Sequence, residues 1–293
     1  MRRKLDGVLL LDKPVGPSSS AVLQTVKRLL AAEKAGHAGT LDPLASGLLP
    51  LLFGEATKFA KFGLDAAKEY LADVRLGVAT DTGDAEGALV ERRPVDVDDA
   101  RLAAALQGFR GEIEQVPPMY SALKQGGRPL YALARSGQTV ARASRRVTVH
   151  ELELIAHADT LLRLRIRCSK GTYIRQLAID LGLALGTVAH LDALRRIAVG
   201  AFRIEHAIAL QDLQALDEQG REAALLPADR LLDGLPRLEL DDAQALRFLN
   251  GQPVNLAKAA GPCRVYRRAG ALLGVGEARA GHGLRPVRLL ARG

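Results

Sequence analysis

Tryptophan is missing from this 293-residue chain, and aromatic side chains together make up only 4% of it. Cysteine occurs twice, at Cys168 and Cys263, far apart and with no neighbours at metal-ligand spacing. A disulfide framework and a zinc centre are excluded as organising elements, and both thiols read as small buried residues. No apolar run approaches the roughly 20 residues of a membrane-spanning helix. The basic start Met1-Arg2-Arg3-Lys4 leads only into the short run Val8 to Leu11, bounded by Asp6 and Asp12. That is too short for a secretion signal and carries no cleavage site, so the expected location is the cytoplasm. Also lacking are a Gly-rich phosphate loop closed by Lys-Ser or Lys-Thr, a dinucleotide fingerprint and a His-Glu-x-x-His pair. The chain offers no handle for a metal or a cofactor, and it contains no internal repeat.

What is abundant is arginine, which supplies 31 of the 41 basic residues and most of a net charge of +8. The charge is uneven. Eight basic and three acidic residues lie between Arg142 and Arg175, and ten basic and four acidic ones follow Pro236. Such basic stretches point to a phosphate-rich partner, with nucleic acid first among the classes. A 48% hydrophobic share and the chain length suit about two soluble domains.

The most concentrated chemistry sits in Gly36-His37-Ala38-Gly39-Thr40-Leu41-Asp42-Pro43-Leu44-Ala45-Ser46-Gly47. Pro43 disfavours helix at Asp42, and the glycines permit tight turns and close approach to a ligand. Read alone, Asp-Pro is also an ordinary helix start. Around it, Gly7 to Leu11 reads as a buried strand. Ser18 to Ser20 can cap a helix whose apolar face uses Val22, Val26, Leu29 and Leu30. Leu48 to Phe53 reads as a short strand that Pro50 demotes to an edge or a bulge. Lys68 to Leu76 is a strand carrying Tyr70, and Thr80 to Gly87 a solvated turn. Asp98 to Phe109 is a capped helix, and Gly126-Gly127 a hairpin turn. Arg145 to Ile155 and Thr160 to Cys168 form an antiparallel pair. After about Ala207 the pattern is helical. From Pro236 onward, short apolar runs between glycines predict a small β-rich domain.

Four stretches resemble the bacterial TruB-type tRNA pseudouridine synthase family. The first is the twelve-residue pattern from Gly36 to Gly47, and the second is Lys68-Glu69-Tyr70. The third is Pro117-Pro118-Met119-Tyr120-Ser121-Ala122-Leu123-Lys124, and the fourth runs without a gap from Cys168 to Arg175. The resemblance implies isomerisation of the position-55 uridine in the tRNA T-loop, with Asp42 as nucleophile and Arg175 paired to it. It implies that Tyr70 stacks on the target base, Tyr173 and Leu194 line the pocket, and His37 sits near the flipped nucleotide. Lys13, in a shared Lys-Pro pattern, is structural or phosphate-facing.

The expected fold is α/β (α+β). A catalytic domain over 1–234 (core about 5–200, helical extension about 207–234) carries a largely antiparallel mixed sheet, and residues 235–293 form a PUA-like RNA-binding domain. A monomer needing tRNA but neither cofactor, metal, membrane nor protein partner follows from the resemblance. The alternatives are a guide-RNA-dependent relative and a non-catalytic RNA-binding or RNA-folding protein. A glycoside hydrolase ranks last, since no second carboxylate accompanies Asp42 in the motifs.

Overall fold

Gly7–Lys13 forms β1, and all but one of its seven residues are buried, as a strand apolar on both faces must be when it lies inside a sheet. The chain is seen here in a computed structural model that describes residues 2–121, 123–138, 140–256, 261–268, 270–279 and 281–290. Ala122 of the third motif lies outside them. Ser18 caps α1 (Ser19–Leu29) by accepting the Ala21 N–H at 3.2 Å, and Val22, Val26 and Leu30 turn inward as the 3.6-residue period requires.

The other principal elements of the first 200 residues are β2 (Ala35–His37), β3 (Ala45–Phe53), β4 (Lys68–Leu76) and α2 (Asp99–Gly108). They continue with β5 (Gly111–Gln115), β6 (Arg145–Ala158), β7 (Leu161–Cys168), α3 (Ile174–Ala184) and β8 (Ala189–Val199). A ten-stranded sheet runs from Ile208–Ala209 through β1, β3, β8, β4, β7 and β6 to β5, with β2 beside β3 and Phe202–Arg203 beside β8. Contacts are antiparallel except where β1 meets Ile208–Ala209 and β3 meets β8. The mixed, largely antiparallel sheet expected from the sequence is present.

Pro50 does not mark an edge. β3 is paired to β1 along its length and to β8 and β2 on its other side. Pro50 is tolerated because its carbonyl, accepting Ala38 N–H at 3.0 Å, faces the side where β2 has just ended. The missing N–H lies on that same side, at a gap in the ladder. Gly47 is equally placed by necessity, since its φ is +101° and a Cβ there would lie 2.3 Å from the Arg196 carbonyl. Gly47→Ala is expected to cost at least about 2 kcal/mol, measured as a fall in denaturation midpoint.

Helices α2 and α3 cover one face of β4, β6, β7 and β8, burying Ala72, Val74, Leu164, Ile166, Leu177 and Leu181 together. The opposite face carries Arg163–Asp73, Arg165–Glu69 and Arg167–Glu151 pairs at 2.8, 2.6 and 2.8 Å. This is the two-residue alternation of a one-sided sheet, and the exposed pairs add solubility more than stability.

The C-terminal part forms a separate four-stranded sheet, β9 (Arg237–Leu240), β10 (Gly261–Arg267), β11 (Leu272–Arg279) and β12 (Gly283–Leu289), in that order. A helix not expected from the glycine-rich pattern, α4 (Asp242–Leu249), begins at a capping box of Asp241 and Gln244 and buries Phe248. Val275 packs beside Leu231 and Leu232, and Tyr266 and Arg264 bond Asp229 and Asp233, each at 2.7 Å. Cys168 and Cys263 are buried free thiols, and burial pushes the Cys168 thiol up to about 11. Among the described residues no helix is long and apolar enough to cross a membrane.

Candidate active site

A cleft of about 380 Å³ opens where the β2–β3 loop meets the N-terminus of α3, and Asp42, Tyr70, Tyr173, Arg175 and Leu194 all line it. The Asp42 side chain is 52% exposed and its carboxylate accepts from Arg175 Nη2. Two residues 133 positions apart in sequence thus meet in one ion pair.

The loop bearing Asp42 is held from below. Buried Ser19 at the start of α1 donates its hydroxyl to the Leu41 carbonyl at 2.9 Å and accepts the Leu41 N–H at 2.8 Å. Both backbone groups of the residue before Asp42 are therefore satisfied by one side chain. Arg196, on β8 and 1% exposed, donates to the carbonyls of Leu48 (2.7 Å), Gly39 (3.1 Å) and Thr40 (3.4 Å). Its charge and the Tyr70 phenol are close enough to shift each other's protonation. Burial lowers the pKa of the Arg196 guanidinium against the opposing pull of Tyr70, and burial raises that of the Tyr70 phenol. One buried cation thereby holds the loop of Asp42 through its carbonyls and lines the same cleft as Tyr70.

Arg175 is fixed from a second side. Asp84, only 3% exposed, pairs with Arg175 Nε at 3.1 Å, and the Thr82 carbonyl accepts from Arg175 Nη1 at 3.2 Å. Asp84 in turn accepts from the Thr82 hydroxyl at 2.6 Å and the Glu86 N–H at 3.2 Å. The 80–87 stretch is therefore solvated only in part, with Gly83 and Asp84 buried and Asp81, Ala85 and Glu86 exposed. It docks on β8 through Leu191, whose N–H donates to the Gly83 carbonyl at 3.0 Å, and this buries Asp84 against Arg175. Gly83 makes the approach possible, because a Cβ there would lie 2.7 Å from Ile179 and 3.4 Å from Arg175. The result is a guanidinium fork between a buried carboxylate and an exposed one.

Tyr173 is set by Gln115, whose buried amide accepts the Tyr173 N–H at 3.0 Å and donates to its carbonyl at 3.3 Å. Lys68 donates to the carbonyls of Gly63, Leu64 and Ala66 at 3.0, 2.5 and 2.7 Å, closing the cleft floor. Burial, with Arg196 nearby, pulls its ammonium down to about 8. Lys13 does not face a phosphate. It is fully buried and donates to the Pro14 and Pro17 carbonyls, both at 2.8 Å, and burial lowers it to about 8 despite Asp42 and Glu86.

His37 is the one expected site residue that does not line the cleft. It pairs with Leu51 at the end of β2, with Nδ1 shielded and lacking a partner. Burial and then Arg196 lower its pKa, favouring the neutral imidazole.

No sequence pattern marks Asp84, Arg196, Ser19 or Gln115 as supports of the cleft. An Asp in a Thr/Gly-rich turn and an Arg in a strand have no pattern that announces burial.

Family models match the chain in three consecutive parts. These are the TruB family pseudouridylate synthase N-terminal domain (residues 27–174), a tRNA pseudouridylate synthase B C-terminal domain (175–233) and a pseudouridine synthase II TruB C-terminal domain (236–290). The tRNA pseudouridine synthase B of Aromatoleum aromaticum is 54% identical over 99% of this chain and 94% of its own length. That of Burkholderia mallei is 54% identical over 100% and 99%. Among solved structures, a Cbf5-Nop10-Gar1 complex superimposes with a TM-score of 0.76 at 28% identity, covering 97% of this chain and 84% of the other. An H/ACA RNP bound to a substrate RNA follows at 0.75 and 26%, covering 98% and 85%. With family models matching from residue 27 to 290 and relatives more than half identical along its whole length, the chain belongs to the TruB family of pseudouridylate synthases.

Proposed function

We propose that this protein converts uridine to pseudouridine at position 55 of the tRNA T-loop, with Asp42 as its nucleophile and no protein partner. The observation that carries the reading is a half-exposed carboxylate, oriented by Arg175, in a cleft that Tyr70, Tyr173 and Leu194 also line. The reaction breaks the N1–C1′ bond, turns the base, joins C5 to C1′ and releases the C5 proton. Asp42 serves it by attack on ribose C1′ or on the uracil ring, and either route needs the carboxylate beside the glycosidic bond with water kept out.

The target base must leave its stack, at a cost of a few kcal/mol that pocket contacts offset. Tyr70 suits this, since it is an aromatic side chain lining the cleft beside Asp42. Arg175, fixed by Asp84, aims Asp42. Leu194 supplies an apolar wall. His37 acts at the periphery, supporting the disrupted T-loop stack from outside the cleft. The basic residues and the tRNA-directed names of relatives over half identical support a tRNA substrate.

We assign residues 1–234 to catalysis and 235–293 to RNA contact, working as a cytoplasmic monomer. Arg285 and Arg288, exposed on β12, test the second part. Replacing both with Ala is expected to flatten the salt dependence of tRNA binding by about two phosphate contacts while turnover at saturating tRNA persists. An unchanged slope would remove RNA contact from this strand.

The reading as a whole is tested by tritium release from tRNA carrying 5-³H-uridine, using the purified protein alone. Release that disappears when the T-loop uridine is replaced is expected. Tight binding without release would favour the non-catalytic alternative or a missing guide.

A further inference from the structure

Two donor atoms of cleft-lining residues, Ser121 Oγ and Arg145 Nε, are shielded and, among the described residues, without a partner. Ser121, from the third sequence motif, is 5% exposed and lines the cleft, and its Oγ is shielded from water without a partner. Arg145, at the start of β6, lines it too. Its guanidinium carbon lies 4.6 Å from the centroid of the Tyr173 ring, and Nη2 donates to the Gly171 carbonyl. Its Nε is shielded and unpartnered, and among the described residues Arg145 forms no ion pair. Buried donors without acceptors are rare because each one costs stability, so a pair of them in one cleft calls for an absent acceptor.

The nature of that acceptor follows from charge. Asp42 cannot serve, being engaged by Arg175, which is itself balanced by Asp84. A uracil carbonyl would satisfy the Ser121 hydroxyl but leave the Arg145 charge without a counterion. A phosphate offers both kinds of partner, several acceptor oxygens for a hydroxyl and a negative charge for a guanidinium. Stacking on Tyr173 already restricts the arginine, so little freedom remains to be lost on binding. We propose that Ser121 and Arg145 form a clamp for an RNA backbone phosphate flanking the target uridine, an inference that rests on the tRNA-modifying reading above.

The test uses full-length protein with Ser121→Ala, Arg145→Met and the double variant. It measures melting temperature without RNA, affinity for a T-arm stem–loop across salt concentrations, and affinity for the same RNA with neutral methylphosphonates on both sides of the target uridine. The melting temperature is expected to hold or rise for Ser121→Ala, which removes only an unsatisfied donor, and to fall slightly for Arg145→Met, which also loses the Gly171 bond and the Tyr173 contact. Affinity is expected to fall roughly tenfold for Arg145→Met and roughly threefold for Ser121→Ala, with the Arg145→Met salt slope shallower by about one phosphate. On methylphosphonate RNA the wild type and variants are expected to bind alike.

The same penalty on both RNAs, or affinity and salt slope unmoved in all three variants, would overturn the clamp and leave these residues structural. Tritium release by the wild type on tRNA is run alongside. Its absence would overturn the functional reading itself, whereas release with unaltered variants would overturn only the clamp.

Discussion

Asp42→Asn is expected to lower single-turnover tritium release by at least about 10³-fold, equivalent to more than about 4 kcal/mol in the barrier. The amide keeps the shape of the carboxyl and one oxygen to accept from Arg175 Nη2, so the loop has no reason to move. That loop is held through Leu41, Gly39 and Thr40, none of which depends on the Asp42 side chain. What disappears is the nucleophile. Binding of tRNA is expected to stay within a few-fold or tighten, because a negative charge facing a polyanion has been removed. Filter binding and single-turnover release, measured on the same preparation, separate the two effects. Affinity lost in proportion to rate would make Asp42 a structural residue.

Arg175→Lys is expected to cost about 10²-fold or more in the same single-turnover rate with a much smaller change in binding. The guanidinium reaches Asp84 through Nε, the Thr82 carbonyl through Nη1 and Asp42 through Nη2. A lysine ammonium preserves the charge but is a single point. It cannot span a buried carboxylate on one side and an exposed one on the other. Because Asp84 is buried and must stay paired, the ammonium is expected to remain with Asp84 and release Asp42. Asp84→Asn then serves as the companion, leaving Arg175 in contact with Asp42 but removing its buried anchor, with a smaller loss of rate than Arg175→Lys. Equal rates for wild type and Arg175→Lys would show that charge alone matters and that the fork does not orient Asp42.

The elements governed by local rules were legible in the chain. Ser18 as a cap, the helical spacing of Val22, Val26 and Leu30, and the alternation in β4 and β7 are short-range signals, and the structure carries each. The interior place of Pro50 depends on where the neighbouring strand β2 stops, a fact of pairing that no local pattern contains. The burial of Asp84 is equally non-local. Its turn carries the residues of a solvated loop, and it becomes buried because Leu191, far downstream, receives it.

The sequence by itself determined the family and the candidates Asp42, Tyr70, Tyr173, Arg175 and Leu194, because motif residues at fixed spacing survive without coordinates. Tertiary structure alone decided which of these share one cleft, with His37 left outside it. It also decided what holds them in place: Ser19 on Leu41, Arg196 beneath Gly39 and Thr40, Gln115 on Tyr173 and Asp84 behind Arg175. The reason is physical. A supporting residue works through burial and hydrogen-bond direction, and both are properties of the packed chain rather than of neighbours in sequence.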